Sequence, residues 1–294
     1  MPPLPPALLL LLAIVAGSAM DATIKHLAQS NHVLAVTFGR YLFGALFSFF
    51  IWVHAGRPRI TSNMWRAHGL RGFLIAACAV TFFWSLTVLP LAQAVTLSFI
   101  YPLLVPFVAW VMLGERVRPT SMVAAAIGFA GVLLAAQGAS EQARSPLYTL
   151  GVAAVLASAS LFSFSMVLLR ARAQTDGAPI VGLMTSLVPG FILAGPALAF
   201  ASPPRLGDWL GFLQLGALAA VFMYLMAQAY AKAEAQRLAP IHYTELIWAS
   251  IIGYVLFHET PQPQLYLGAA LIITACLFVA YDERRLSLKT GEAA

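Results

Sequence analysis

The stretch VMLGERVRPTSMVAAAIGFAGVLLAA, residues 111–136, has a counterpart 144 residues later in VLFHETPQPQLYLGAALIITACLFVA, residues 255–280. With this shift Glu115 aligns with Glu259, and a proline follows each glutamate at the same distance. The apolar segments behind the two prolines also run in step. The chain therefore contains an internal repeat, which sets the number and order of the elements that must be explained.

The composition indicates a membrane protein. The chain has 294 residues, of which 61% are hydrophobic and 10% are charged, whereas soluble domains are roughly 45–50% apolar and about 25% charged. A lipid bilayer is the solvent that tolerates such a surface. The net charge is +6, but the basic residues lie in short gaps between apolar runs rather than in a patch. We therefore predict no nucleic-acid partner.

The sequence contains ten apolar runs, each close in length to the roughly 20 residues that a helix needs to cross a bilayer. The sequence lacks Lys and Arg before the first run, which favours a retained helix over a cleaved signal peptide. The runs cover residues 7–27, 33–53, 70–88, 91–113, 120–137, 147–170, 180–200, 208–230, 238–257 and 264–281.

The distribution of basic residues predicts the orientation. With a cytoplasmic N-terminus, 13 of the 17 Lys and Arg residues fall on the cytoplasmic side and three on the other, while Arg40 lies within the second run. The positive-inside rule then places both termini in the cytoplasm.

Each repeat contains five predicted helices, and this odd number has a geometric consequence. The second repeat must enter the membrane from the opposite side, so the two halves are inverted. We predict an all-α membrane protein with one repeat at residues 1–139, a second at 147–281 and a short cytoplasmic tail at 282–294. Inverted repeats are common in secondary transporters, which bind substrate between the halves near the midplane.

The pattern resembles the drug/metabolite transporter superfamily, in particular its EamA-type members, and among these it looks most like amino-acid exporters of the YddG type. This resemblance implies a ten-helix bundle in the bacterial inner membrane that exports aromatic or neutral amino acids and related metabolites. The second half departs from the motif because no basic residue follows Glu259. The resemblance rests on Gly114-Glu115-Arg116 and His258-Glu259 at the ends of two runs, Asp21 and Lys25 in the first run, and Arg40 in the second.

Three charged residues lie within the first two runs and are candidates for gating or coupling. Asp21 and Lys25 are four residues apart, so they share a helix face and can pair. That pair could be structural or could act as a gate. Arg40 could join the same cluster or bind a substrate carboxylate with its planar fork. Charged groups are costly inside a membrane, so each needs such a reason.

Glu245 is the acid that the sequence singles out, because no basic residue lies within one helical turn of it. It could carry a proton, bind a substrate ammonium group, or hold a structural partner. His242 lies about one turn earlier and could bond to a neighbouring helix or relay a proton. Glu115 and Glu259 end helices and are expected to satisfy nearby helix ends.

Further polar and aromatic residues recur at helical spacing in the third, fourth, eighth and ninth runs. Such a stripe could form a wet cavity for a small substrate, or it could serve helix packing. Two prolines, Pro102 and Pro106, predict a kink in the fourth run. The predicted substrate-binding residues are Trp84, Ser98, Tyr101, Tyr224, Gln228, His242, Glu245 and Trp248.

Other functions were weighed against transport. The sequence lacks a zinc-protease helix, a nucleophile elbow and a phosphate-binding loop, so we predict neither an enzyme nor an ATP-driven pump, and no cofactor or metal. A channel would require a filter or charged ring that the sequence does not show. The direction of transport stays open between export and uptake of another metabolite or cofactor. The predicted partners are the lipid bilayer and a small molecule such as an amino acid, with the chain as a monomer or homodimer.

Overall fold

The computed structural model describes residues 5–114, 117–137, 146–170, 176–232 and 241–290, and the regular elements in these ranges are helices. A short 3-10 turn, Leu206–Asp208, precedes α9. The α-helices are α1 Pro6–Leu27, α2 Val33–His54, α3 Ser62–Val88, α4 Leu91–Ser98, α5 Tyr101–Leu113, α6 Pro119–Gln137, α7 Pro146–Arg170, α8 Ala178–Phe200, α9 Trp209–Lys232, α10 Glu245–Phe257 and α11 Pro263–Thr290.

The helical prediction is confirmed, and the helices have the length and surface that a bilayer requires. Eight spans, with α4 and α5 counted together, are long and apolar enough to cross a membrane, while α10 and the first part of α11 are shorter apolar helices. Large apolar side chains point outward, among them Phe191 at 84% and Leu198 at 82% exposure. This surface would be unfavourable in water and is suited to lipid tails.

Two boundaries differ from the predicted runs. Helix α3 begins at Ser62 rather than near residue 70, because the Thr61 hydroxyl accepts a hydrogen bond from the Met64 amide and caps the helix. Helix α11 continues to Thr290, so most of the predicted tail is helical. Residues 291–294 and both residues of the Glu115-Arg116 motif lie outside the described residues.

Two helices are broken at equivalent positions of the two halves. The chain turns at residues 99–100 between α4 and α5, and again at residues 243–244 before α10, which is a separation of 144. At each break a backbone amide donates a hydrogen bond to the carbonyl three residues earlier. The Ile100 amide donates to the Leu97 carbonyl, and the Thr244 amide donates to the Ile241 carbonyl. In the first half Pro102 lacks the amide that would continue the helix. The predicted kink is therefore a complete interruption.

The broken helices cross at these interruptions. The rings of Phe99 and Tyr243 meet edge to face, with their centroids 5.7 Å apart. These two residues are themselves separated by 144 positions, so the first and second halves touch through equivalent residues. The crossing places the starts of α5 and α10 next to the boundary between the halves.

The halves are interleaved rather than separate. Helix α1 packs along α9, α3 along α7, α2 along α8 and α6 along α11, and each of these pairs joins the two predicted repeats. The centre of the bundle contains fully buried leucines from the α3–α4 region, such as Leu86, Leu91 and Leu97. A site between the halves is therefore bounded by helices from both of them.

Helices α6 and α11 come together through glycines. A Cβ atom added at Gly268 would lie 2.5 Å from the backbone oxygen of Gly131, and one added at Gly131 would lie 2.8 Å from the oxygen of Gly268. Backbone atoms cannot move aside as a flexible side chain can. The small residues of these two helices therefore serve packing within the chain.

We expect Gly268→Ala to destabilise the protein by about 1–3 kcal/mol, because the new methyl group overlaps the backbone of α6. Thermal unfolding of the detergent-purified protein measures the effect. Gly182→Ala is the matched control, because Gly182 lies in α8 with no atom within 4 Å of the added Cβ. The control should be neutral or slightly stabilised, and equal losses for both variants would contradict the close approach of α6 and α11.

Candidate functional site

A cluster of charge and backbone groups joins the halves at one end of the bundle. The Nζ atom of Lys25 lies 2.6 Å from Oε1 of Glu259 and donates a 2.6 Å hydrogen bond to the carbonyl of Leu89. The other carboxylate oxygen accepts a 2.8 Å hydrogen bond from the amide of Leu91. The Lys25 and Glu259 side chains are only 10% and 15% exposed. We call these four residues the Lys25 clasp.

The clasp satisfies two helix ends at once. Pro90 interrupts the chain between α3 and α4 and has no amide hydrogen to donate. The last carbonyls of α3 and the first amides of α4 therefore need other partners. The ammonium group meets the carbonyl end and the carboxylate meets the amide end, which is the favourable arrangement for both helix dipoles. The expectation that Glu259 satisfies a helix end is confirmed.

The predicted pairing of Asp21 with Lys25 is wrong. The two residues share a face of α1, but Lys25 bonds to Glu259 from the α10–α11 loop, while the Asp21 carboxylate interacts electrostatically with Arg40. Helical spacing shows only that a contact is possible. The actual partner is distant in sequence and offers Lys25 a second bond through the nearby Leu89 carbonyl.

A second group of charges lies between the halves and is not closed by direct ion pairs. Asp21, 6% exposed on α1, is close enough to interact electrostatically with both Arg40 of α2 and Glu245 of α10. Among the described residues, no acid lies within 4.0 Å of the Arg40 guanidinium. We call these three residues the mixed-charge cluster.

Arg40 has unused hydrogen-bonding capacity in this cluster. Its guanidinium carbon lies 4.2 Å from the centroid of the Tyr41 ring, which is a favourable cation–π distance. Its Nε atom is buried and has no hydrogen-bond partner in the described part of the chain. A buried donor without a partner is costly, and a carboxylate ligand would satisfy it with a planar, two-point contact.

Glu245 begins α10 directly after the break at residues 243–244. Tyr101 holds the equivalent position at the start of α5, where its ring packs edge to face on Phe162 at 4.9 Å. The Tyr101 carbonyl at the start of α5 accepts a 2.9 Å hydrogen bond from the Ser163 hydroxyl of α7. The two breaks therefore bring an acid and an aromatic phenol to the boundary between the halves.

The other predicted binding residues lie on several helices and make mostly local contacts. Tyr224 and Gln228 bond to each other at 3.1 Å on α9, and Tyr224 is 50% exposed. Trp248 packs on a cluster of apolar residues that α1 and α9 supply. The Ser98 hydroxyl donates to the Val95 carbonyl of its own helix. Trp84 on α3 and His242 before α10 are half-buried, so the charged residues are the better-defined part of the site.

Sequence reasoning missed a polar connection at the opposite end of α3. His68 and Asp176, which are 2% and 3% exposed, lie 3.1 Å apart, and Arg71 Nη1 donates a 2.9 Å hydrogen bond to the Thr185 hydroxyl. His68 and Leu89 are about 30 Å apart along α3 at 1.5 Å per residue. Arg71 was counted as an orientation signal, although its place one turn after His68 in an apolar run could have indicated a buried role.

Comparison with known proteins identifies the family. The sequence model of the EamA-like transporter family matches residues 4–137 and, a second time, residues 149–281. A solved crystal structure covers 96% of this chain and 97% of its own, with a TM-score of 0.64 at 21% identity. At that identity, the structure supports the fold alone.

Curated relatives are similar over nearly the full length. An S-adenosylmethionine uptake transporter of Rickettsia bellii is 26% identical over 95% of this chain and 94% of its own. A riboflavin transporter of Rhizobium johnstonii is 31% identical over 96% of this chain and 93% of its own. A pseudopaline exporter of Pseudomonas aeruginosa is 23% identical over 94% and 96%.

We expect Lys25→Met and Glu259→Gln each to lower thermal stability, because each leaves a mostly buried group without its partner. The double variant should lose less than the sum, with a coupling of about 1–3 kcal/mol. Thermal unfolding in detergent measures all three variants. Arg66→Gln, at an exposed position of α3, controls for the loss of a charge.

The reversed pair, Lys25→Glu with Glu259→Lys, should remain destabilised. It restores opposite charges, but it turns an ammonium group toward the Leu91 amide and a carboxylate toward the Leu89 carbonyl. Recovery of wild-type stability by the reversed pair would contradict the role of the clasp at the two helix ends.

Proposed function

The chain belongs to the EamA-like transporter family, and we propose that it carries a small metabolite bearing both a carboxylate and a cationic group. The observation that supports this substrate class is the mixed-charge cluster, in which Arg40 has a buried Nε without a partner among the described residues and interacts with Asp21, which in turn interacts with Glu245. Arg40 would bind the carboxylate of the metabolite, and Asp21 and Glu245 would bind its cationic part.

The transport cycle we propose is alternating access between two inverted five-helix repeats, residues 1–139 and 147–281. One family model matches each half of the chain, and the two halves have helix breaks at equivalent positions. Both observations support a duplicated architecture. Broken helices near the midplane are the usual place for substrate in such carriers. The Lys25 clasp and the His68–Asp176 contact lie at opposite ends of α3, and each would open in a different half of the cycle.

Two substrates fit the proposed class. S-adenosylmethionine has a carboxylate, an ammonium group and a sulfonium charge, and it is the substrate in the name of the Rickettsia relative. Riboflavin lacks a carboxylate and would leave Arg40 unsatisfied, so we rank it lower. Aromatic and neutral amino acids, which the resemblance to YddG-type exporters implies, have one carboxylate and one ammonium group and are the second candidate.

We propose the bacterial inner membrane as the location, with both termini in the cytoplasm. The direction of transport differs among the named relatives, which include uptake carriers and an exporter. The two carboxylates of the mixed-charge cluster outnumber its single arginine. This balance favours substrates with a net positive charge over neutral amino acids, and therefore S-adenosylmethionine over aromatic and neutral amino acids.

A panel of labelled compounds in proteoliposomes tests the proposal. We expect transport of S-adenosylmethionine, weaker transport of S-adenosylhomocysteine, which lacks the sulfonium charge, and little transport of riboflavin. Tryptophan tests the amino-acid candidate. Vesicles loaded on either side give the preferred direction. If folded protein moves none of the compounds that have both charges, the proposed substrate class is wrong.

Substitutions in the mixed-charge cluster should distinguish recognition of the substrate carboxylate by Arg40 from recognition of its cationic part by Glu245. Arg40→Gln should raise the KM for S-adenosylmethionine at least about tenfold through loss of a charged hydrogen bond, without raising that for its decarboxylated analogue. Arg40→Lys should restore the wild-type KM only in part, because lysine lacks the planar fork of arginine. Glu245→Gln should raise the KM for S-adenosylmethionine more than the KM for S-adenosylhomocysteine.

Arg66→Gln again serves as the control for charge. Equal losses for every compound in Arg40→Gln and Glu245→Gln would indicate a folding defect rather than recognition, and would contradict the assigned roles.

A further inference from the structure

Arg71 is a second arginine whose buried Nε has no partner among the described residues. Its side chain lies on α3 and only 7% of the residue is exposed. One nitrogen, Nη1, donates to the Thr185 hydroxyl, while Nε is buried and has no hydrogen-bond partner in the described ranges. No carboxylate of the described residues lies within 4.0 Å of the guanidinium.

Arg71 lies where equivalent parts of the two halves meet. Tyr41, 3% exposed on α2, lies under the Arg40 guanidinium at 4.2 Å and is close to Arg71. Tyr41 and Thr185 are separated by 144 residues, so α2 and α8 contribute equivalent positions near this guanidinium. Carriers with two repeats bind substrate at the interface between the repeats.

A structural role explains only part of this arrangement. The hydroxyl of Thr185 is neutral and leaves the positive charge uncompensated, and a buried charge without a counter-ion is strongly unfavourable. An arginine that extends to the membrane surface would expose its guanidinium to water, whereas the Nε atom of Arg71 is buried. The arrangement is therefore suited to binding an anion.

We propose that Arg71 and Thr185, beside Tyr41, form a second anion-binding position that takes the carboxylate of the carried metabolite on the His68 side of Arg40. This inference rests on the proposed carrier function and adds a binding residue to it. The carboxylate would bind first at one arginine and then at the other as the two ends open in turn. Tyr41 lies close to both arginines, so the two positions would be neighbours on the route of the carboxylate.

Acetate is a probe that carries only the proposed chemistry. Its affinity is measured by thermal shift on the full-length protein in detergent, with chloride as the ionic-strength control. We expect acetate to stabilise the wild type and Arg71→Gln to weaken acetate binding at least about tenfold, with a further loss on combination with Arg40→Gln. Arg66→Gln should match the wild type.

Inorganic phosphate at the same ionic strength tests the alternative anion, and stronger stabilisation by phosphate than by acetate would overturn the carboxylate assignment. The proposal also fails if acetate has no effect on the wild type, or if its effect is the same in Arg71→Gln.

A second measurement does not depend on the stability of a variant. The wild-type protein is treated with phenylglyoxal, and modification of each arginine is followed by peptide mass mapping. Acetate should protect Arg71 and leave Arg66 unprotected; equal reactivity of Arg71 with and without acetate would overturn the proposal.

Transport distinguishes this inference from the proposed function. If Arg71→Gln transports S-adenosylmethionine with an unchanged KM, the second position is wrong and the carrier function stands. If acetate protects Arg71 but none of the compounds with both charges is transported, the anion position stands and the proposed substrate class fails.

Discussion

Every backbone amide and carbonyl in a hydrocarbon environment must find its hydrogen-bond partner within the protein, and this constraint explains the features that distinguish the bundle from a set of straight helices. The turn at Pro90 leaves a helix end and a helix start to be satisfied, and Lys25 and Glu259 bond to them. Where α5 begins after the break, the Tyr101 carbonyl accepts a hydrogen bond from Ser163. Glu259 and Ser163 both belong to the second half, so each of these two interruptions in the first half is bonded by a residue of the other half.

The charged residues fall into two groups with different consequences. Lys25 and Glu259 bond to each other and to backbone groups, so they hold one end of the bundle together. Arg40 and Arg71 keep a buried Nε without a partner. A bonded charge supports a conformation, whereas an unbonded buried charge favours a ligand that can compensate it. The same few intramembrane charges can thus supply both the closure of a carrier and its recognition of an amphoteric metabolite.

Much of the architecture follows from local sequence properties. Hydropathy over about 20 residues predicts the helices because each must match the bilayer, and the aligned residues 111–136 and 255–280 indicate two related halves. Pro102 predicts the break in the fourth run because it has no amide to donate. The start of α3 at Ser62 was missed because its cap, Thr61, precedes the apolar run. The ninth run has no proline at the position equivalent to Pro102, so the same argument does not predict its break at residues 243–244.

What the sequence determined by itself is therefore the membrane environment, the helical spans, the repeat and the identity of the costly charges, since all of these depend on composition and spacing along the chain. Only the tertiary structure decided which charges pair. Lys25 shares a helix face with Asp21 but bonds to Glu259, and Arg71 proved to be buried beside Thr185 rather than at the surface. Electrostatic contacts depend on distances in space. The spacing of residues along one helix does not reveal which residue of the other half lies next to them.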